Sequence, residues 1–169
     1  VIVQHMAPGF EAGFARWLGT ASGFAVCVAR NGEVLLPGRA FIVPNNVQAT
    51  ITRERTIALA PGAPEHGMCP AVSHLFRCVH PDLCGGVIAV LLTGMGKDGG
   101  YELRGLKDQG AETIVQDRAS SAVYGMPGEA IRQDAARHVL APAEIGILIS
   151  ALGAAASMPP AAAGTGSQP

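Results

Sequence analysis

Hydrophobic and polar positions repeat with two periods along this chain, and the clearest segment lies between Val87 and Gly100. Val87-Ile88-Ala89-Val90-Leu91-Leu92-Thr93 is an apolar run of strand length, rich in β-branched residues. Gly94-Met95-Gly96-Lys97-Asp98-Gly99-Gly100 follows at once as a glycine-rich turn, and helical spacing resumes near Tyr101. Such a run predicts a buried parallel strand that delivers Asp98 beyond its carboxyl end, where the ligands of open α/β sheets collect. The plainer reading makes Asp98 a cap on the helix that follows. Tyr101, three residues on, supplies no capping-box carboxylate to reinforce it.

Elsewhere strand and helix patterns alternate. Val1-Ile2-Val3 reads as a strand ending at Gln4-His5, and Phe10, Phe14, Trp17 and Leu18 then recur at helical spacing as an amphipathic helix ending near Gly19. Phe24 to Ala29 reads as a short strand, Asn31-Gly32 as a turn, and Glu33 to Pro37 and Ala40 to Val43 as extended pieces broken at Pro37-Gly38. Val47, Ala49 and Ile51 share one face of a segment that turns at Arg53-Glu54-Arg55 and returns through Thr56, Ile57 and Leu59, which predicts an antiparallel hairpin. The Pro- and Gly-rich loop Pro61 to Pro70 leads to a helix over Ala71 to His80, with Val72, Leu75, Phe76 and Val79 inward.

After the Val87 strand come a helix from Tyr101 to Gln109 and a strand from Thr113 to Gln116. A loop with Asp117, Ser120 and Ser121 then leads to a helix ending near Gln133. His138 to Leu140 reads as a last strand, and Pro142 opens a helix reaching about Leu152. The alternation predicts an α/β fold: a doubly wound, mainly parallel sheet with helices on both faces and a small antiparallel hairpin. One domain is expected over residues 1–152, and the Ala, Pro, Gly and Ser of 153–169 read as a flexible tail. A core strand at the first residues predicts further elements before Val1.

With 169 residues, 49% hydrophobic and 15% charged, the chain can bury one substantial core. A net charge of -1 and 5% aromatic content offer neither the basic field nor the stacking platforms of a nucleic-acid binder. The longest apolar run falls far short of the ~20 residues that cross a bilayer. No signal peptide is evident, so a cytoplasmic protein without membrane insertion is expected. Cys27, Cys69, Cys78 and Cys84 form no C-x-x-C pair. His66, His74 and His80 scatter among the last three, without the close ligand pairs of structural zinc sites, so no metal and no cofactor are expected and the thiols should be free.

Two polar side chains stand at strand carboxyl ends, His5 and Asp98. An imidazole oriented by a buried carboxylate is two thirds of a hydrolytic triad, because the carboxylate fixes the tautomer and stabilises the imidazolium. The nucleophile is harder to find, since no G-x-S-x-G turn occurs. Ser22 follows a helix, Ser73 lies inside one, and Ser120 and Ser121 lie in a loop. Each of these, like Cys27 and Cys84, reads as structural rather than nucleophilic.

Four motifs now carry a resemblance: Val3-Gln4-His5-Met6, Leu92-Thr93-Gly94-Met95-Gly96-Lys97-Asp98-Gly99, Gln116-Asp117 with Ala119-Ser120, and Tyr124-Gly125-Met126-Pro127-Gly128-Glu129-Ala130. In order from Val1 to about Leu152 they resemble the catalytic domain of the CheB-type chemotaxis protein-glutamate methylesterases. The Thr-Gly-Met-Gly-x-Asp-Gly block is the specific part. The resemblance implies a mainly parallel α/β sheet with a small hairpin and a Ser-His-Asp triad. It makes His5 the general base, Asp98 its orienting carboxylate, and the backbone amide of Met95 part of the oxyanion hole. The family serine belongs to a Ser-Thr-Gly-Gly-Pro turn after a first strand, ahead of the histidine motif. That strand and turn are expected to be missing here, as is a phosphorylatable receiver domain upstream.

The resemblance further implies hydrolysis of glutamate methyl esters, together with glutamine deamidation, on methyl-accepting chemotaxis receptors and without a cofactor. Without the serine, the chain alone is expected to be inactive. Two other readings stay open: a non-catalytic module that binds receptors or a partner carrying the serine, and a general serine esterase.

Overall fold

A computed structural model of the chain describes residues 1–156. Among the described residues Val1 to Gln4 pairs only through Ile2, whose amide donates to the Phe41 carbonyl at 2.7 Å and whose carbonyl accepts from the Val43 amide at 2.9 Å, so the expected strand is here a single bridge. Helix α1 (Glu11–Ser22) follows, ending on Gly23 in the left-handed conformation, φ 71°, rather than near Gly19. The hydroxyls of Thr20 and Ser22 donate to the Arg16 and Leu18 carbonyls, which are thereby satisfied within that extra turn. Against the amphipathic expectation, α1 buries only Ala15, while Phe10 and Trp17 are 66% and 63% exposed.

β1 (Ala25–Val28), β2 (Glu33–Val34), β3 (Arg39–Ile42), β4 (Gln48–Ile51) and β5 (Thr56–Ala60) come next. β1 and β3 are parallel, with Val26 opposite Ala40. β4 and β5 form the expected hairpin, Ile51 opposite Ile57, and β2 adds to the far edge of β5. The antiparallel part therefore has three strands, because a two-residue strand is too short to show a period in sequence. α2 (Val72–Arg77) stops short of the predicted His80. Pro81 disfavours helical backbone at His80, and Val79 becomes a bridge partner of Ile51.

A short 3₁₀ turn leads to β6 (Ile88–Leu91), α3 (Glu102–Asp108), β7 (Glu112–Gln116), α4 (Met126–Arg132), β8 (His138–Leu140) and α5 (Pro142–Ala156). β6, β7 and β8 are parallel, with β7 in the middle. α5 runs four residues past Leu152, since Ala154-Ala155-Ala156 favours helix; the rest of the expected tail, 157–169, lies outside the described residues. Among the described residues no helix is long and apolar enough to cross a membrane. The α/β class and the small antiparallel part agree with the sequence pattern.

The core falls into two clusters. One gathers Leu91, Leu103, Leu106, Val115 and Ala130 around the second parallel sheet; the other gathers Phe41, Val43, Ala49, Ile57 and Leu75 around the first half. Val3 and Val79 touch both. Between them lies a cavity of about 750 Å³, walled by Val1 to His5 on one side and Val87 to Met95 on the other. Ile2 turns its polar groups to β3, so the amide and carbonyl of Val3 face the opposite side. Among the described residues β6 has a strand on one edge only, so the single sheet of the sequence reading is here two parallel pieces with a slot between them.

Candidate active site

At one end of the slot stands His5, in contact with Asp98. His5 follows the Val1 strand and Asp98 follows β6, and their contact brings the carboxyl ends of the two rims together: Nε2 of His5 lies 3.0 Å from Oδ2 of Asp98. The ring nitrogen makes no aligned hydrogen bond there, so the contact is a close approach of imidazole and carboxylate. Catalytic hydrogen bonds are often poorly aligned before substrate binds.

Asp98 is 2% exposed, and its acceptor capacity is taken up from a third element. Oδ2 accepts from the Val72 amide and Oδ1 from the Ser73 amide, each at 2.8 Å. The plainer reading, in which Asp98 caps the helix that follows, does not hold. α3 starts without a side-chain cap, and Asp98 instead satisfies the first amides of α2, reached through space because the turn folds back against it. Burial pushes the carboxyl up, but the His5 contact and the Ser73 and Val72 amides outweigh it and hold the pKa at about 2, below the usual 3.8. An ionised carboxylate fixed in this way can orient an imidazole and support its positive charge.

Met95 is the exposed tip of the turn, 81% accessible, and lines the same cavity as His5. Its backbone amide has no protein acceptor among the described residues. The turn around it is held from below. The Thr93 amide donates to Gln116 Oε1 at 2.8 Å, and the Gly94 carbonyl accepts from the Gly125 and Met126 amides at 3.1 and 2.9 Å. Gly125 is required there, since a Cβ would lie 2.7 Å from the Gly94 carbonyl and 2.8 Å from the Gly96 nitrogen. A free amide on a rigid turn is suited to an anionic oxygen.

None of the serines weighed in sequence reaches His5. Ser22 bonds to Leu18, Ser73 to Glu102, Ser120 to Asp117 and Ser121 to the Asp117 carbonyl. Cys27 points to the Ala40 carbonyl and Cys84 to His80 and Gln109. The His and Cys scatter stays apart as well: His74 contacts Glu65, and among the described residues no group of His, Cys, Asp and Glu could hold a metal. Sequence reasoning missed Ser73, Gln116 and Gly125 as parts of the site. Gln116 and Gly125 were inside quoted motifs, at a strand end and a helix start, whereas Ser73 gave no signal beyond a small polar residue in the first turn of a helix.

An α/β domain with an imidazole and a buried carboxylate at adjoining strand ends is the class that the fold and geometry define. The CheB methylesterase family model matches residues 1–149, and the chain belongs to that family. It is 46% identical over 157 residues, 92% of this chain and 45% of the relative, to protein-glutamate methylesterase/protein-glutamine glutaminase 1 of Syntrophus aciditrophicus strain SB. A relative of the same description from Nitrosospira multiformis is 48% identical over 140 residues, 83% of this chain and 39% of that one. The chain therefore spans less than half the length of these curated relatives. Its fold is similar to the crystal structure of the Thermotoga maritima CheB methylesterase catalytic domain, with TM-score 0.82 and 31% identity over 89% of this chain and 81% of that one.

Proposed function

We propose that the chain contributes His5, Asp98 and the Met95 amide to a Ser-His-Asp hydrolase acting on glutamate methyl esters, and on glutamine side chains, of methyl-accepting chemotaxis receptors. The observation that carries this reading is the cavity between Val3 and β6. Its rims are strand edges, its walls are apolar, and His5 and Met95 stand at one end. A parallel strand laid in it, at the ~4.8 Å spacing of neighbouring strands, would deliver the residue after its carboxyl end to the space beside His5. A serine in that turn completes the triad; no such serine is among the described residues, so the chain by itself is expected to be inactive.

The steps follow from the roles. With Nε2 turned to Asp98, Nδ1 of His5 is the nitrogen left to take the serine proton. The alkoxide attacks the ester carbonyl, and the Met95 amide donates to the oxyanion of the tetrahedral intermediate. The intermediate collapses, and His5 returns the proton to the departing methanol, or to ammonia when the substrate is an amide. Water, deprotonated by His5, then releases the glutamate by the reverse sequence. No cofactor enters, and the reading places the protein in the cytoplasm with a receiver domain upstream as a regulatory partner. A second reading rests on the same cavity: the chain is a binding module into which another chain inserts the serine strand.

The test is methanol release from methyl-esterified receptor. It compares this chain, the chain extended ahead of Val1 by a strand and a Ser-Thr-Gly-Gly-Pro turn, and His5→Ala in the extended form. The expected result is turnover by the extended protein alone, with His5→Ala about 10³-fold slower or worse. Equal turnover by the unextended chain overturns the missing-serine reading, and an inert extended protein favours the binding module.

A further inference from the structure

We infer that Ser73 is a positioning residue for the His5 and Asp98 pair, acting through both sides of the turn that carries Asp98. The inference rests on reading Asp98 as the carboxylate that orients His5. Ser73 is fully buried, and each of its polar groups is used. Its amide donates to Asp98 Oδ1, its Oγ accepts from the Gly99 amide at 2.8 Å, and its hydroxyl donates to Glu102 Oε2 at 2.8 Å.

A hydroxyl has one proton, so these roles are fixed: the proton goes to the Glu102 carboxylate and a lone pair takes the Gly99 N–H. One oxygen thereby ties α2, the Asp98-Gly99 turn and the first turn of α3. Glu102 is held in its turn by Arg77 Nη1 at 3.5 Å, from the end of α2. The turn has little freedom on its other side, because Gly99 sits at φ 79° with space for a Cβ closed by Val72 Cγ1 at 2.4 Å. The groups facing Asp98 are His5 from the segment after Val1 to Gln4, the two amides of α2 and the Ser73 side chain itself, so its orientation depends on Ser73 and on where Gly99 is pinned relative to that helix. The bland alternative is that Ser73 merely satisfies a buried amide, contributing stability and nothing to the carboxylate.

Titration of the Asp98 side-chain carbon by NMR separates the two, and it needs no turnover, so its outcome is independent of whether the ester hydrolysis reading holds. Ser73→Ala keeps the amide that bonds Asp98 and removes the bond to Gly99. The expected result is an Asp98 acid dissociation constant about tenfold smaller than in the parent, with the amide spectrum still that of a folded chain. Ser73→Gly likewise keeps the amide and removes the hydroxyl; a change in the same direction is expected and serves if Ser73→Ala does not fold. An Asp98 titration unchanged in the folded variants, with only thermal stability lowered, overturns the positioning role.

Discussion

β6 and β7 lie side by side in one parallel sheet and differ in their surroundings more than in their chemistry. β7 has a parallel strand on each edge, and Thr113 to Gln116 are all buried. β6 belongs to the most apolar run of the chain, yet only Ala89 and Leu91 are buried within it, and Leu92 just beyond is 49% exposed. Hydrophobicity therefore does not decide burial here; the number of flanking elements does. Continuous apolar strands are written for coverage on both faces and both edges, and β6 carries that composition beside a slot. β7, with polar Thr113 and Gln116, is buried because each polar group is met: Thr113 Oγ1 donates to the Ala135 carbonyl at 2.7 Å, and Gln116 joins Thr93 to Ser120.

The largest expected effect separates the two strands directly. Ile114→Ala, at a fully buried position of β7, removes side-chain carbons from a close-packed site and should cost about 3 kcal/mol in urea unfolding. Leu92→Ala, on the cavity wall, should cost less than about 1 kcal/mol in this chain. In the form extended by the serine strand its cost should rise towards that of Ile114→Ala. Equal costs in the unextended chain would break the comparison.

Asp98 sharpens it, because this residue follows β6 and is nevertheless buried like Thr113 to Gln116 of β7. Its folded pKa of about 2 lies below the ordinary 3.8. A depressed carboxylate contributes stability that is present above the unfolded value and is lost as pH falls through the folded one. The loss should therefore fall between about pH 4 and pH 2 and amount to about 2 kcal/mol. Urea midpoints at pH 5 and pH 2.5 test this: the parent should lose that increment over Asp98→Asn, and an equal loss in both would show that Asp98 is not held by His5 and α2.

How far all this was legible in sequence depends on the range of the interactions. The Val87 run and its glycine-rich turn mark a parallel strand and place Asp98 at its end, because period and turn chemistry are local. His5 and Asp98 are 93 positions apart; their places at strand carboxyl ends suggested the pair, the resemblance gave it roles, and the fold brings the two into contact. What local reasoning misjudged was set by neighbours. The plainer reading of Asp98 as a cap for its own helix fails because it satisfies α2, Val79 read as a helix face but bridges to Ile51, and Phe10 and Trp17 read as an amphipathic stripe but lie open. Gly125 and Ser73 act by close approach and by hydrogen bonds across 25 to 31 positions, which no window of sequence contains.

The smallest effect tests the slot itself. Ile2 spends its amide and carbonyl on β3, so the Val3 amide points away from that strand and has no partner among the described residues. Val3→Pro deletes this one donor, and proline favours extended backbone at the residue before it, which Ile2 already has. The Val3 side chain is also lost from its packing against both core clusters, so the substitution should cost about 1 kcal/mol in this chain. In the extended form, where an inserted strand would accept from Val3, the same change should cost about 1 kcal/mol more, the net worth of one hydrogen bond. Equal effects in the two forms would mean that the Val3 edge is not where the serine strand pairs, and β6 alone would then have to hold it.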